Sequence, residues 1–271
     1  MAFGEEYQQE YECLLFDVDD TLYPSSSGLS AQCSKNILEY MVERLGIDEK
    51  KVIETNQFLY KNYGTSMAGL KAIGYDFDYD DYHRFVHGRL PYEKLNPDFI
   101  LRTLLHSLPI RKVIFSNGDK VHVAKVLRRL GLEDCFERII CFETLNNNSM
   151  DHRCSSYRYH NNNGSSDSAL APTPILCKPH QISFELALKI ANINSHKTLF
   201  FDDSICNIEA AKRVGLHTVL VGSSQRSAGV DFALESIHNM KDAVPELWKV
   251  NGNSVNTRIP PNMAMETSVL A

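Results

Sequence analysis

Cys13-Leu14-Leu15-Phe16-Asp17-Val18-Asp19-Asp20-Thr21-Leu22-Tyr23-Pro24 runs from an apolar stretch straight into three carboxylates within four residues. Unbroken apolar residues without polar alternation read as a buried parallel strand. Buried carboxylates are costly unless they are paired or bound to a cation. Asp17 and Asp19 therefore point to a site at the carboxyl end of this strand, where open α/β sheets bind ligands. Taken alone, the same stretch also reads as a strand ending in a polar turn, because Asp favours turns.

The rest of the chain supplies the context. After Ser25-Ser26-Ser27-Gly28, a turn, the pattern becomes helical with no strand between helices. Cys33, Ile37, Met41 and Leu45 predict one helix, stopped by Gly46, and Val52, Asn56, Tyr60 and Tyr63 a second, stopped by Gly64. Residues 67–73 and 80–87 predict two more, closed by Gly74 and Gly88. Strands and helices then alternate. A helix carries Phe99, Leu101, Leu104, Leu105 and Leu108, and a strand at 112–115 runs into Ser116-Asn117-Gly118-Asp119. Asp119 caps a helix ending at Gly131, and 139–142 is the next strand. A helix at 181–191 precedes a strand at 198–201 that ends in Asp202-Asp203-Ser204. A helix at 207–214, a strand at 218–221 and a terminal helix through Ile237, Met240, Val244 and Leu247 complete the order.

The expected fold is α/β: a Rossmann-like parallel sheet with helices on both faces, plus an inserted all-helical cap. Residues 1–27 and 90–248 form the core, 28–89 the cap and 249–271 a tail. The Asn- and Ser-rich tract 145–173 has few apolar anchors and reads as a mobile loop. His152, Cys154 and His160 lie in it at spacings that fit no usual metal site.

Composition bounds the function. The 271 residues carry a net charge of −6 and no dense Lys/Arg run, which argues against a nucleic acid polymer as partner. Lys125, Arg128 and Arg129 sit at helical spacing on what reads as a solvated face. The seven cysteines are odd in number and include no Cys-x-x-Cys, so a disulfide framework or zinc site is not expected. Residues 1–12 are polar and acidic, unlike a secretory or transit peptide, and no apolar run approaches a membrane span. The expected setting is the cytoplasm or the nucleus. Oligomeric state stays open.

Asp17 and Asp19, Ser116, and Asp202 and Asp203 each lie at the end of a strand, and Lys178 opens a helix. In a parallel sheet these ends share one edge, so the groups can converge. Carboxylates suit a hard cation such as Mg²⁺, which typically bridges one or two of them to a substrate phosphate. Ser116, Lys178 and the backbone amides of Asn117 and Gly118 supply donors for an anion.

This set resembles the phosphatase branch of the haloacid dehalogenase superfamily. Asp17-Val18-Asp19-Asp20-Thr21, Phe115-Ser116-Asn117, Lys178-Pro179 and Phe201-Asp202-Asp203-Ser204 occur in the order of that family's motifs, and the helical insert falls where the family places a cap. The resemblance implies Asp17 as nucleophile, Asp19 as general acid and base, Ser116 as phosphoryl donor and Lys178 as the cation pairing Asp17 with phosphate. It also implies a Mg²⁺ site from Asp17, Asp19 (through its backbone carbonyl), Asp202 and Asp203, with either Asp of the pair as the direct ligand. Asn207 would orient that pair. An acid working near neutral pH needs a raised pKa, so Asp19 is expected to have one.

Leu22-Tyr23-Pro24-Ser25-Ser26-Ser27-Gly28, Tyr63-Gly64-Thr65 and His87-Gly88-Arg89-Leu90-Pro91-Tyr92 are similar to the pyrimidine 5′-nucleotidase group, especially its plant members. That likeness implies a pyrimidine nucleoside 5′-monophosphate as the small phosphorylated metabolite, with Ser116, Asn117, Lys178, Tyr23, Tyr63, His87 and Arg89 as binding residues. A dehalogenase would need neither Asp19 nor the Asp202-Asp203 pair. A phosphomutase, a sugar phosphatase and a non-catalytic member of the fold stay open on the residues alone.

Overall fold

The computed structural model describes residues 11–146, 170–225 and 227–248. The tail and nearly all of the Asn/Ser-rich tract, with His152, Cys154 and His160, lie outside the described residues.

Six parallel strands form one sheet in the order β3-β2-β1-β4-β5-β6. They are β1 (Cys13–Phe16), β2 (Arg111–Phe115), β3 (Arg138–Ile140), β4 (Thr198–Asp202), β5 (His217–Val221) and β6 (Phe232–Leu234). Side chains alternate across a strand, and both faces of β1 are apolar. Leu14 and Phe16 pack on one face with α5 (Phe99–His106) and α6 (Lys120–Leu130). Cys13 and Leu15 pack on the other with α8 (Gln181–Ala191) and α9 (Ile205–Arg213). Each fully buried Leu or Phe here contributes roughly 1.5–3 kcal/mol of transfer free energy. Phe16 stacks on Phe201 at 4.5 Å between ring centres, tying the two central strands together.

Between β1 and β2 the chain makes α1 (Leu29–Glu43), α2 (Val52–Tyr63), α3 (Ser66–Ala72) and α4 (Tyr79–Val86). Thr65 and Asp78 cap α3 and α4, accepting from the amides of Ala68 and Asp81. These helices share a third apolar cluster with Phe142, Ile175 and Cys177. The unit thus sits on the segment that leads into Lys178.

Gly64 shows how tight that seat is. At φ +80° a Cβ here would lie 2.3 Å from Pro179 Cδ and 2.5 Å from the Lys178 carbonyl oxygen. Gly64→Ala is expected to destabilise by about 1–3 kcal/mol through left-handed strain and overlap. Displacing Lys178 should lower kcat as well. A thermal unfolding midpoint and a kcat both at wild-type level would refute this.

Three readings of the sequence are corrected. The strand expected at 139–142 ends at Ile140. The Phe142 amide turns to donate to the Gly118 carbonyl at 3.0 Å, and Phe142 opens α7 (Phe142–Asn146). Phe142 is apolar because it packs under the four helices, not because it lies in a strand. The tract from 145 begins and ends in ordered structure. Asn146 holds the Leu176 backbone on both sides, donating at 3.0 Å and accepting at 2.8 Å, and the Thr173 hydroxyl donates to the Ala68 carbonyl at 2.8 Å. The terminal helix is broken into Ile237–Asn239, α10 (Met240–Ala243) and Pro245–Trp248, because Pro245 cannot continue it.

Candidate active site

Register sets the site. Phe16 lies opposite Ile114 on β2 and Phe201 on β4, so the next residues, Asp17, Phe115 and Asp202, emerge at one level. The Asp17 amide donates to the Phe201 carbonyl at 2.9 Å, carrying the pairing one step further.

Lys178 enters between these ends. Its side chain is 1% exposed, and Nζ donates to Asp17 Oδ1 and to Asp202 Oδ2, each at 2.7 Å. The ammonium lies over Phe115 and Phe200, 5.3 and 5.4 Å from the ring centres. Burial alone would lower the lysine's pKa, but Asp17 and Asp202 outweigh it and hold the group charged. Asn117 fixes the backbone of the same residue: Asn117 Nδ2 donates to the Lys178 carbonyl at 3.0 Å, and the Lys178 amide donates to Asn117 Oδ1 at 2.8 Å. The Asn117 side chain thus holds Lys178 and leaves only its backbone amide for a ligand. Ser116 is buried, and its hydroxyl accepts from the Gly118 amide at 3.0 Å.

Asp202 is saturated with partners. It takes the lysine, the Ser204 amide at 2.9 Å, and the Asn207 amide group at 2.9 and 3.1 Å. Asp203 instead lines the cavity. Oxygens of Asp17, Asp202 and Asp203 come within 4.8 Å of one another. A hard, all-oxygen set crowded with negative charge fits Mg²⁺. The crowding is visible in the acids themselves. Burial pushes the Asp17 carboxyl well above the usual range; Lys178 opposes this, while Asp202, Asp203 and Asp19 add to it. Asp203 sits at the open side, yet burial of its carboxyl, then Asp202 and Asp20, raise it to about 7 against Lys178.

A stability prediction follows from that sign. A carboxyl whose folded pKa is raised holds its proton more tightly in the folded state. It therefore costs stability as pH rises from the unfolded value of 3.8 to about 7, and the loss levels off above. In EDTA, Asp203→Asn should gain unfolding temperature relative to wild type across that window. Mg²⁺ should narrow the gap most above pH 7. A constant difference from pH 4 to 8 would contradict it.

Asp19 departs from expectation. Burial would raise its pKa, but the His122 imidazolium and hydrogen bonds from His122 and Tyr23 pull it below the ordinary carboxylate range. His122 Nε2 lies 2.8 Å from Asp19 Oδ1, and the Tyr23 hydroxyl donates to the same oxygen. The sequence reading missed His122. Its signal was a lone polar residue within the apolar stripe of Val123, Val126, Leu127 and Leu130 on α6.

Above these groups lies a cavity of about 630 Å³. Asp17, Asp19, Asn117, Lys178 and Asp203 form its floor, and Asn56, Gln57, Met67, Tyr82, His83, Val86, Phe142 and Ile175 part of its walls. Tyr23 and His87 reach it as expected, though the Tyr23 hydroxyl is committed to Asp19 and His87 Nδ1 pairs with Asp119 Oδ2 at 2.5 Å. Tyr63 and Arg89 do not reach it. Tyr63 is buried in the cluster of the four helices, and Arg89 binds Glu39 at 2.6 Å and covers Phe85.

A profile described as haloacid dehalogenase-like hydrolase matches residues 11–215, spanning every motif above. The chain belongs to this family. Phosphate metabolism protein 8 of Saccharomyces cerevisiae is 25% identical over 214 residues, covering 76% of this chain and 60% of that protein. This haloacid dehalogenase-like chain thus spans less than two thirds of that relative's length. Two solved structures share the fold. A phosphatase of the family from Thermococcus onnurineus has a TM-score of 0.52 at 16% identity, covering 85% of this chain and 96% of its own. The family hydrolase YfnB of Bacillus subtilis, solved with magnesium bound, has a TM-score of 0.51 at 20% identity, covering 86% and 98%. Among the described residues no helix is long and apolar enough to cross a membrane.

Proposed function

We propose that this hydrolase is a Mg²⁺-dependent phosphomonoesterase working through an aspartyl-phosphate on Asp17, with pyrimidine nucleoside 5′-monophosphates as its substrates. The observation that carries the reading is Lys178 Nζ, 2.7 Å from both Asp17 and Asp202 beneath a cavity that Asp19 also lines. Paired with Lys178, the Asp17 carboxylate is the nucleophile for in-line attack on phosphorus.

Asp17 Oδ attacks phosphorus, the bond to the leaving oxygen breaks, and Asp19 gives that oxygen a proton. A water then attacks the phosphorus of the aspartyl-phosphate, the bond from phosphorus to Asp17 Oδ breaks to free inorganic phosphate and the Asp17 carboxylate, and the Asp19 carboxylate accepts the water's proton. Asp19 must therefore be protonated in the first step, although its neighbours favour the anion. A phosphate dianion placed beside it favours the protonated form, since like charge disfavours ionisation. Lys178 and the Asn117 amide balance charge on the equatorial phosphoryl oxygens, while the Gly118 amide holds the Ser116 hydroxyl oxygen. Asp17, Asp203 and the Asp19 carbonyl would hold Mg²⁺, because the Asp202 oxygens are already engaged. Bound there, the cation supplies charge neutralisation for phosphate and nucleophile.

Residues 28–89 act as the cap that covers the substrate and excludes water during transfer. The cavity volume suits a nucleoside rather than phosphate alone. Phe142 and Tyr82 offer ring faces to a base, and Asn56, Gln57 and His83 offer polar contacts.

Two measurements test the reading. Phosphate release should vanish in EDTA and return with Mg²⁺; activity indifferent to chelation removes the metal. On a panel of phosphorylated metabolites, kcat/KM for UMP or CMP should exceed that for AMP, GMP and sugar phosphates. Preference for a sugar phosphate would keep the phosphatase and overturn the nucleotidase. No turnover of any phosphomonoester would leave a binding role for the fold.

A further inference from the structure

Asp19 is gripped on one side only. Tyr23 Oη and His122 Nε2 both reach Oδ1, while among the described residues no hydrogen bond engages Oδ2. His122 is itself locked. Its Nδ1 lies 2.8 Å from the Tyr92 hydroxyl. That hydroxyl gives its single proton to the His87 carbonyl at 3.0 Å, so towards His122 it accepts. Nδ1 of His122 is then a donor, and with Nε2 donating to Oδ1 of the Asp19 carboxylate the ring is an imidazolium facing Asp19. It cannot swing away. The His87 ring stacks on it at 4.5 Å, and a Cβ at Gly118 would lie 2.8 Å from its Cδ2. Its helix is fixed at the first turn by Asp119, which accepts from the amides of Val121 and His122.

We propose that Tyr23 and His122 are positioning residues for protonation of the leaving group: they hold Asp19 Oδ1 so that Oδ2 alone exchanges protons with substrate and water. The inference rests on the reading of Asp19 as the general acid. As the phosphorus–oxygen bond breaks, the Oδ2 proton passes to the leaving oxygen. The carboxylate left behind is met by the imidazolium and the Tyr23 hydroxyl, already in place and needing no reorganisation. His122 keeps both its protons throughout. In the second step the same grip keeps Oδ2 aimed at the attacking water.

A positioning role through Asp19 has a signature that general loosening lacks. A leaving group that needs a proton suffers from a misplaced acid, and one that leaves as a stable anion does not. The test measures kcat/KM for p-nitrophenyl phosphate and for a series of primary alkyl phosphates. The variants are Asp19→Asn, His122→Leu, His122→Gln and Tyr23→Phe. The ratio of alkyl to p-nitrophenyl activity should fall about 10²-fold in His122→Leu, within the range that general acid catalysis contributes. Tyr23→Phe should lower it less, and His122→Gln, which keeps a donor near the Nε2 position, should recover part of the loss. Equal losses across the series in His122→Leu and Tyr23→Phe, or no loss, overturn the proposal while leaving Asp19 as the acid. If Asp19→Asn itself shows no leaving-group dependence, the acid assignment fails and the proposal with it. Tyr23→Phe removes one oxygen only, so it decides the matter even if His122→Leu does not fold.

Discussion

Asp17→Asn is expected to lower kcat by roughly 10⁴-fold or more, about 5.5 kcal/mol of barrier, with the fold intact. The amide is nearly isosteric with the carboxyl but is not a nucleophile at phosphorus, and no neighbouring acid replaces it. Asp202 is held by Lys178, Ser204 and Asn207, and Asp19 is held by His122 and Tyr23. Stability should move the other way. Burial and three nearby acids raise the Asp17 pKa despite Lys178, so its ionised form costs folded-state stability above the normal carboxylate range. At pH 8 in EDTA the Asn variant should unfold at a temperature no lower than wild type. Acid-quenched wild type should retain covalent phosphate after mixing with substrate, and the variant should not. A variant within tenfold of wild type, or one that still forms the phosphoprotein, removes Asp17 from the nucleophile's place.

How much of this was legible in the sequence depended on whether the cause was local. Asp17-Val18-Asp19, Phe115-Ser116 and Asp202-Asp203 each mark where a strand ends, Lys178-Pro179 comes just before a helix, and a parallel sheet brings such points to one edge whatever lies between. The four inserted helices were legible because Gly46, Gly64, Gly74 and Gly88 punctuate strong periodicity. β6, three residues long, was not, because so short a run carries no alternation to read. Phe142 read as strand because apolar character does not say which partner it buries against. Tyr63 and Arg89 were expected at the substrate on likeness of motif, but α2 turns Tyr63 inward and Glu39 captures Arg89. The direction of the Asp19 shift was illegible for the same reason. It is set by His122, 103 residues away, through a contact that only the fold creates.

Lys178→Met should be the most costly substitution for the fold and nearly as costly for turnover. Methionine matches the length of the stem but removes the ammonium that Asp17 and Asp202 share at 2.7 Å each. Breaking a buried pair leaves uncompensated charge, which costs about 3–5 kcal/mol. Here two carboxylates on neighbouring strands lose their shared cation, Asp202 keeping only its neutral donors Ser204 and Asn207, so the loss in EDTA should lie at or above that range, and Mg²⁺ should recover part of it. Arginine is no remedy: the site is closed, with Phe115 and Phe200 under the ammonium, and a planar fork cannot replace a point charge between two strands. For catalysis the sign is fixed by Asp17. Lys178 is the main influence lowering that carboxyl, so its removal pushes the Asp17 pKa up further and confines the ionised nucleophile to higher pH. The acid limb of kcat/KM should therefore move to higher pH, and the plateau should fall by about 10²–10³-fold from lost stabilisation of the phosphoryl oxygens. Lys178→Met with more than a tenth of wild-type activity and an unmoved acid limb would show that the lysine serves the fold alone.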